Sequence, residues 1–150
     1  ETRAIINSGT ILAGEADRRA IEWIEQNTPS DARFYINVNH WQFGIYRGSD
    51  GGWWITPLTG RKTLLPVALY PMGDPAYAKR INQLAEKASQ VQGCTPEFWE
   101  IIQSQQIDYI YLTQGKGSVR PESLMGCSGL DLVYAQEGVY VYQVGDGVID

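Results

Sequence analysis

The chain has 150 residues, 43% of them hydrophobic and 11% aromatic, with 12 basic against 17 acidic side chains and a net charge of −5. That length suits one domain burying roughly 70% of its unfolded surface, and the acidic balance argues against a surface built to neutralise a nucleic-acid backbone, so no nucleic acid is expected as a partner. No run reaches the ~18–20 apolar residues of a membrane span, and nothing at the start resembles a signal peptide.

The first residue is Glu1, not Met, which is expected of a segment belonging to a larger protein. Residues 1–14 read as a loosely patterned leading segment, with Arg3-Ala4-Ile5-Ile6 and Thr10-Ile11-Leu12-Ala13 as an extra strand or linker. A helix is predicted from about Glu15 to Gln26. Ala20, Trp23 and Ile24 repeat at helical spacing, and Asp17, Arg18, Arg19, Glu22 and Glu25 are expected on the solvent face. Thr28-Pro29 ends it. Arg33 to Val38 reads as a strand with Phe34, Ile36 and Val38 on one face. Residues 39–60 have no helical period and read as a long ordered loop with one short strand. Arg61 to Leu65 reads as a strand closed by Pro66, and Pro71-Met72-Gly73 as a turn.

Two helices follow, each opened by a capping residue and proline: Asp74-Pro75, with Tyr77, Ile81, Leu84, Ala85, Ala88 and Val91 on one face, and Thr95-Pro96, with Phe98, Ile101 and Ile102. Gly93 stops the first. Ile107 to Thr113 has the strongest strand composition. Leu130 to Tyr134 and Val139 to Val144, joined by Ala135-Gln136-Glu137-Gly138, predict an antiparallel hairpin. The expected fold is a single α/β layered domain, with a mixed, mostly parallel sheet, flanking helices and a C-terminal antiparallel hairpin.

The segment from His40 to Trp54 holds three of the five tryptophans. Long ordered loops are often functional. Trp41, Trp53 and Trp54 offer flat faces to sugar rings, and Gln42, Arg47 and Asp50 could serve hydroxyls. The competing reading is a satellite core plugging one end of the sheet. Arg61 and Lys62 could meet a phosphate, or simply be solvated. Gln114 to Ser118 follows the strongest strand but is no dinucleotide fingerprint, because Arg120 stands where the third glycine belongs. His40 is the one histidine, without a local nucleophile or base, so no catalytic residue is assigned. Two cysteines and one distant histidine make no zinc set, and no metal or cofactor is expected. Cys94 and Cys127, both in loops, are either two free thiols or a disulfide adding roughly 3–4 kcal/mol and implying an oxidising compartment.

Three stretches carry a family resemblance: Ala16 to Pro29 with its Trp23-Ile24 and Asn27-Thr28-Pro29; Asp50 to Thr63 with Trp54-Ile55-Thr56-Pro57-Leu58-Thr59-Gly60-Arg61; and Ile107 to Leu112 with the later Val133-Tyr134 and Val139 to Tyr142. Their order resembles the soluble C-terminal domain of bacterial multi-spanning membrane proteins of the glycosyltransferase C superfamily. The resemblance implies a domain on the extracytoplasmic face of the membrane, and the membrane-embedded remainder of the same polypeptide as its partner. It also implies a parent enzyme that uses polyprenyl-phosphate-linked sugars, with Asp50 to Lys62 facing the embedded active site. The family's catalytic acids lie near the first membrane spans, so none carries over. The oligosaccharyltransferase Trp-Trp-Asp-Tyr-Gly signature is absent, since Trp53-Trp54 continues as Ile55-Thr56-Pro57, and peptide glycosylation is not implied. The expected function is therefore a non-catalytic domain that helps bind carbohydrate or lipid-phosphate-linked sugar. A stand-alone small α/β enzyme using His40 and a protein-interaction module are the alternatives.

Overall fold

The computed structural model describes residues 13–67 and 69–145; the apolar stretches before residue 13 lie outside them. In chain order, α1 (Glu15–Asn27) leads into β1 (Arg33–Ile36), and β2 (Val38–His40) and β3 (Tyr46–Gly48) form a separate hairpin. A 3-10 turn (Gly51–Trp54) runs into α2 (Ile55–Thr59) and β4 (Lys62–Thr63). A second 3-10 turn (Tyr70–Met72) precedes α3 (Pro75–Gln90) and α4 (Pro96–Ser104). The chain then forms β5 (Tyr109–Thr113), a single turn α5 (Pro121–Leu124), β6 (Leu130–Gln136) and β7 (Val139–Val144).

The main sheet has five strands in the order β4-β1-β5-β7-β6. β1 pairs in parallel with β4 and β5, while β7 is antiparallel to both β5 and β6. β7 alone therefore runs against the other four, and the sheet is mixed but mostly parallel, ending in the expected hairpin. That hairpin turns on Glu137 and Gly138, whose φ of 49° and 80° match a two-residue type I′ turn, so β6 extends to Gln136.

The two central strands are buried on both faces. Phe34, Tyr35 and Ile36 in β1, and Ile110, Tyr111 and Leu112 in β5, are all fully buried. Central strands covered on both sides read as continuous apolar runs, so Tyr35 is core as much as Phe34 and Ile36. Tyr35 meets Phe98 of α4 edge-on and its hydroxyl donates to the Ala88 carbonyl of α3. On the opposite face Tyr111 reaches α1, and Trp23 of α1 packs on Tyr134 of β6. Helices thus cover both sides of the sheet. Among the described residues no helix is long and apolar enough to cross a membrane.

Two helix starts follow their capping chemistry. Asp74 Oδ1 accepts the Ala76 N–H at 3.1 Å and Thr95 Oγ1 accepts that of Phe98 at 3.3 Å. The predicted strand from Arg61 to Leu65 shrinks to Lys62–Thr63. Thr63 donates its hydroxyl to the Leu65 carbonyl at 2.7 Å and bends the chain off the sheet edge. The predicted loop over 39–60 is instead a hairpin, a 3-10 turn and α2. The Gln114–Ser118 turn is fixed by Asn37, a fully buried residue just past β1. Its side chain accepts the Val119 N–H at 3.0 Å and donates to the Val119 and Lys116 carbonyls at 2.8 and 3.3 Å.

Cys94 and Cys127 are joined as a disulfide with a Cα–Cα distance of 6.2 Å, tying the start of α4 to the loop after α5 across 33 positions of sequence. Closing a loop of that size removes unfolded-state entropy equivalent to roughly 4 kcal/mol. Reduction, or paired Cys94→Ser and Cys127→Ser substitution, is expected to lower the denaturant-derived stability by about 2–4 kcal/mol. Equal stabilities with and without reductant would refute it.

Candidate functional site

In open α/β sheets, ligands usually occupy the crevice beyond the carboxyl ends of the parallel strands. Here that place, past Ile36 and Thr113, is filled by the protein itself. Asp50 and Asp17 meet there, 0% and 5% exposed. Asp50 accepts the Gly52 N–H at 2.9 Å and the Thr113 N–H at 3.3 Å. Asp17 accepts the Tyr111 hydroxyl at 2.6 Å, the Thr113 hydroxyl at 3.1 Å and the Gly14 N–H at 2.8 Å. A Cβ added at Gly51 would sit 2.1 Å from Asp17 Oδ1, and one at Gly52 would sit 2.6 Å from Ile36 Cγ2. Nothing larger than glycine fits between the carboxylates and the sheet.

Burial pushes the Asp50 carboxyl up from 3.8 to about 7; Asp17 adds to that rise, while the two backbone N–H groups and Lys116 oppose it. Burial, followed by the charges of Asp17 and Asp50, drives the Tyr111 hydroxyl well above its usual range. The pair has the composition of an acid–base site and no opening to substrate, so its chemistry is to fasten α1, the Gly51–Trp54 turn and β5 together.

The other predicted residues separate into two groups. Arg61 is a correction. Its guanidinium is buried, donating to the Glu25, Thr28 and Thr59 carbonyls at 2.9, 2.8 and 3.2 Å and to Thr28 Oγ1 at 2.9 Å. It satisfies the orphan carbonyls at the ends of α1 and α2 and is not presented to an anion. Lys62 is exposed on the edge strand and is not brought beside it. Trp53 is half-buried against Gly48, where an added Cβ would lie 2.8 Å from the Trp53 Cβ. Trp54 remains exposed.

The hairpin gathers the rest. Trp41 is 46% exposed, and the Arg47 guanidinium lies 5.3 Å over its ring. Asn39 pairs with Arg47 across the strands, so Asn39, Trp41 and Arg47 share one face. Arg47 Nε and Ser49 Oγ are buried with no hydrogen-bond partner among the described residues. On the opposite face His40 meets Tyr46 edge-on, exposed and without a hydrogen bond to an acid, hydroxyl or thiol among the described residues. Trp41 and Arg47 therefore form a stacked pair of an exposed indole and a half-buried guanidinium, while His40 has no hydrogen-bonded catalytic partner among the described residues.

Asp17, Asn37, Tyr111 and Thr113 escaped the sequence reading as site residues. Asp17 was expected on the solvent face of α1, and it points inward. Its one sequence signal is its place as third residue of a helix that starts after Gly14, where a carboxylate reaches back to a free N–H. Among the described residues no cluster of three or more His, Cys, Asp or Glu is placed to hold a metal ion. An open groove between α3 and α4, crossed by Lys87 and Glu100 at 4.0 Å, contains none of the predicted residues. No protein-family model and no curated protein matches the chain.

Asp50 has a pH signature. Its carboxyl holds a proton up to about pH 7 when folded and only to about 3.8 when unfolded. Its contribution to stability is full below about pH 4, falls as pH rises, and is gone above about pH 7. Unfolding free energies measured from pH 4 to 7.5 should fall by a few kcal/mol in the wild type relative to Asp50→Asn. Parallel curves for the two proteins would refute the assignment.

Proposed function

We propose that the chain is a non-catalytic, extracytoplasmic domain of a membrane glycosyltransferase-like protein, and that its Trp41–Arg47 face contacts the sugar or phosphate of a polyprenyl-phosphate-linked ligand. The observation that carries this reading is the guanidinium held over a half-exposed indole. An indole face suits the C–H surface of a sugar ring. The guanidinium of half-buried Arg47 would turn its outer N–H groups, not its buried Nε, to a phosphate. The membrane-embedded remainder of the same polypeptide would supply the catalytic acids. The resemblance of the three sequence stretches supports this setting, and the Cys94–Cys127 disulfide suits an oxidising compartment.

A stand-alone enzyme draws no support from His40, which has no hydrogen-bonded partner among the described residues. The sealed carboxylates give it none either.

Titration with a short-chain prenyl-phosphate hexose, followed by tryptophan fluorescence, tests the reading. Saturable binding is expected, weakened about tenfold by Arg47→Ala through loss of a charge-assisted bond, with a comparable loss in Trp41→Ala. Absence of saturation, or titrations unchanged in both variants, would overturn it.

A further inference from the structure

Several of the large apolar side chains left exposed fall in three neighbouring segments: Trp41 and Phe43 on the hairpin, Val67, Leu69 and Met72 in the following turn, and Tyr77 in the first turn of α3. A hydrogen-bonded clasp makes these segments one structure. The Tyr70 hydroxyl accepts the Tyr46 N–H at 3.0 Å and donates to Asn82 Oδ1 at 2.5 Å. Asn82 Nδ2 in turn donates to the Gly44 carbonyl at 2.9 Å. The turn and the start of α3 are thereby held beside the hairpin tip.

Phe43 is the sharpest sign that this tip has a use. It is 94% exposed and has a φ of 54°, the left-handed region that bulky L residues rarely adopt. With Gly44 at 69°, the two carry the φ signs of a type I′ turn, whose first central position ordinarily takes Asn, Asp or Gly. Folding gains nothing from a phenylalanine there. Backbone strain combined with full exposure of an aromatic ring points to a contact outside the domain.

The charge distribution identifies the contact. Between Asn39 and Ala85 the chain carries five basic and two acidic residues, against seven and fifteen in the rest. One of those two acids, Asp50, is sealed in the interior, and one of the bases, Arg61, is likewise buried. The cations of these segments are Arg47 over Trp41, Arg80 over Tyr77 and the exposed Lys79, on an otherwise acidic protein, with Asp74 at the cap of α3 and Glu86 within it as the acids. Exposed tryptophan, phenylalanine, leucine and methionine in segments that also carry cations fit the interface of an anionic bilayer. Aromatic rings settle at headgroup depth, and cations meet lipid phosphates.

We propose that this end of the domain docks into the headgroup region of an anionic membrane, with Phe43, Leu69 and Met72 entering the acyl boundary and Trp41 at its edge. The contact goes beyond the sugar-phosphate reading: it shares Trp41 and Arg47 with it but rests on the exposure of Phe43, Leu69 and Met72, which that reading does not use.

Sedimentation of the chain with vesicles of phosphatidylcholine containing about one-third phosphatidylglycerol tests the proposal. Co-sedimentation is expected at low salt, several-fold weaker with phosphatidylcholine alone or at high salt. Phe43→Asn, which suits the turn, should melt no lower than the wild type yet partition about tenfold more weakly, the effect of one aromatic side chain withdrawn from the lipid. Leu69→Ser with Met72→Ser should act in the same direction. Brominated lipid should quench tryptophan fluorescence in the wild type and much less in Trp41→Phe. Lack of co-sedimentation, or wild-type partitioning by both the Phe43 and the Leu69/Met72 variants, would overturn the proposal. So would self-association that Phe43→Asn abolishes without any vesicle binding, which would give the tip to a second copy of the chain. Retention of prenyl-phosphate hexose binding by Phe43→Asn would separate this contact from the ligand face.

Discussion

The rest of the structure depends on burying two carboxylates together at the carboxyl ends of β1 and β5. An unpaired buried carboxylate is costly enough that it is ordinarily hydrogen-bonded, paired or protonated. Asp50 and Asp17 meet this requirement with donors drawn from three separate parts of the chain: the backbone at Gly14, the backbone at Gly52, and the Tyr111 and Thr113 end of β5. Thr113 serves both, its amide on Asp50 and its hydroxyl on Asp17. Moving any one element would strand a buried charge, so the start of α1, the Gly51–Trp54 turn and the central sheet must assemble as a unit.

That requirement determines what surrounds it. Gly51 and Gly52 lie where any side chain would strike Asp17 or Ile36, and Gly117, at a φ of 77°, lies where a Cβ would come 2.2 Å from the Asn37 side chain. The glycines of this region, which could be mistaken for a ligand-cradling loop, are close-packing residues. The protein thus fills the crevice where α/β sheets ordinarily hold ligands, and the exposed indole of Trp41 lies instead at the end of a hairpin that is separate from the main sheet.

The same division explains what could be read from the chain beforehand. α3, α4 and β5 are legible because their signals are local: a cap, a proline, an apolar stripe, and a β-branched and aromatic run; the stop expected at Gly93 comes earlier, α3 ending at Gln90 with Val91 as its cap. The hairpin over 38–48 is not legible in this way. Its strands have three residues each, too few to establish an alternation, and its turn carries Phe43 where a turn residue is expected. Asp17 and Arg61 were misplaced for a common reason. Charge predicts solvent, and nothing local distinguishes a solvated carboxylate from one bonded to Tyr111 some 94 positions away, or a free guanidinium from one closing two helix ends. Trp53 and Trp54 are neighbours in sequence, but one packs on Gly48 and the other faces solvent.

The way the hairpin is held shows which of its side chains carry information. The clasp from Tyr70 and Asn82 engages backbone groups, the Tyr46 amide and the Gly44 carbonyl, and the hairpin is closed by the amide of Trp41 on the Ile45 carbonyl and that of Ile45 on the Gln42 carbonyl. None of these bonds requires a particular side chain at positions 41, 43 or 47. The position of the tip is therefore secured independently of what it displays. Structural need accounts for Tyr70, Asn82 and Gly44, but not for an exposed indole under a guanidinium, nor for an aromatic ring on a left-handed backbone. Those identities are what the proposed contacts rest on. A rigid mount with side chains free of structural duty is the arrangement in which a binding surface can be tuned without unsettling the fold that carries it.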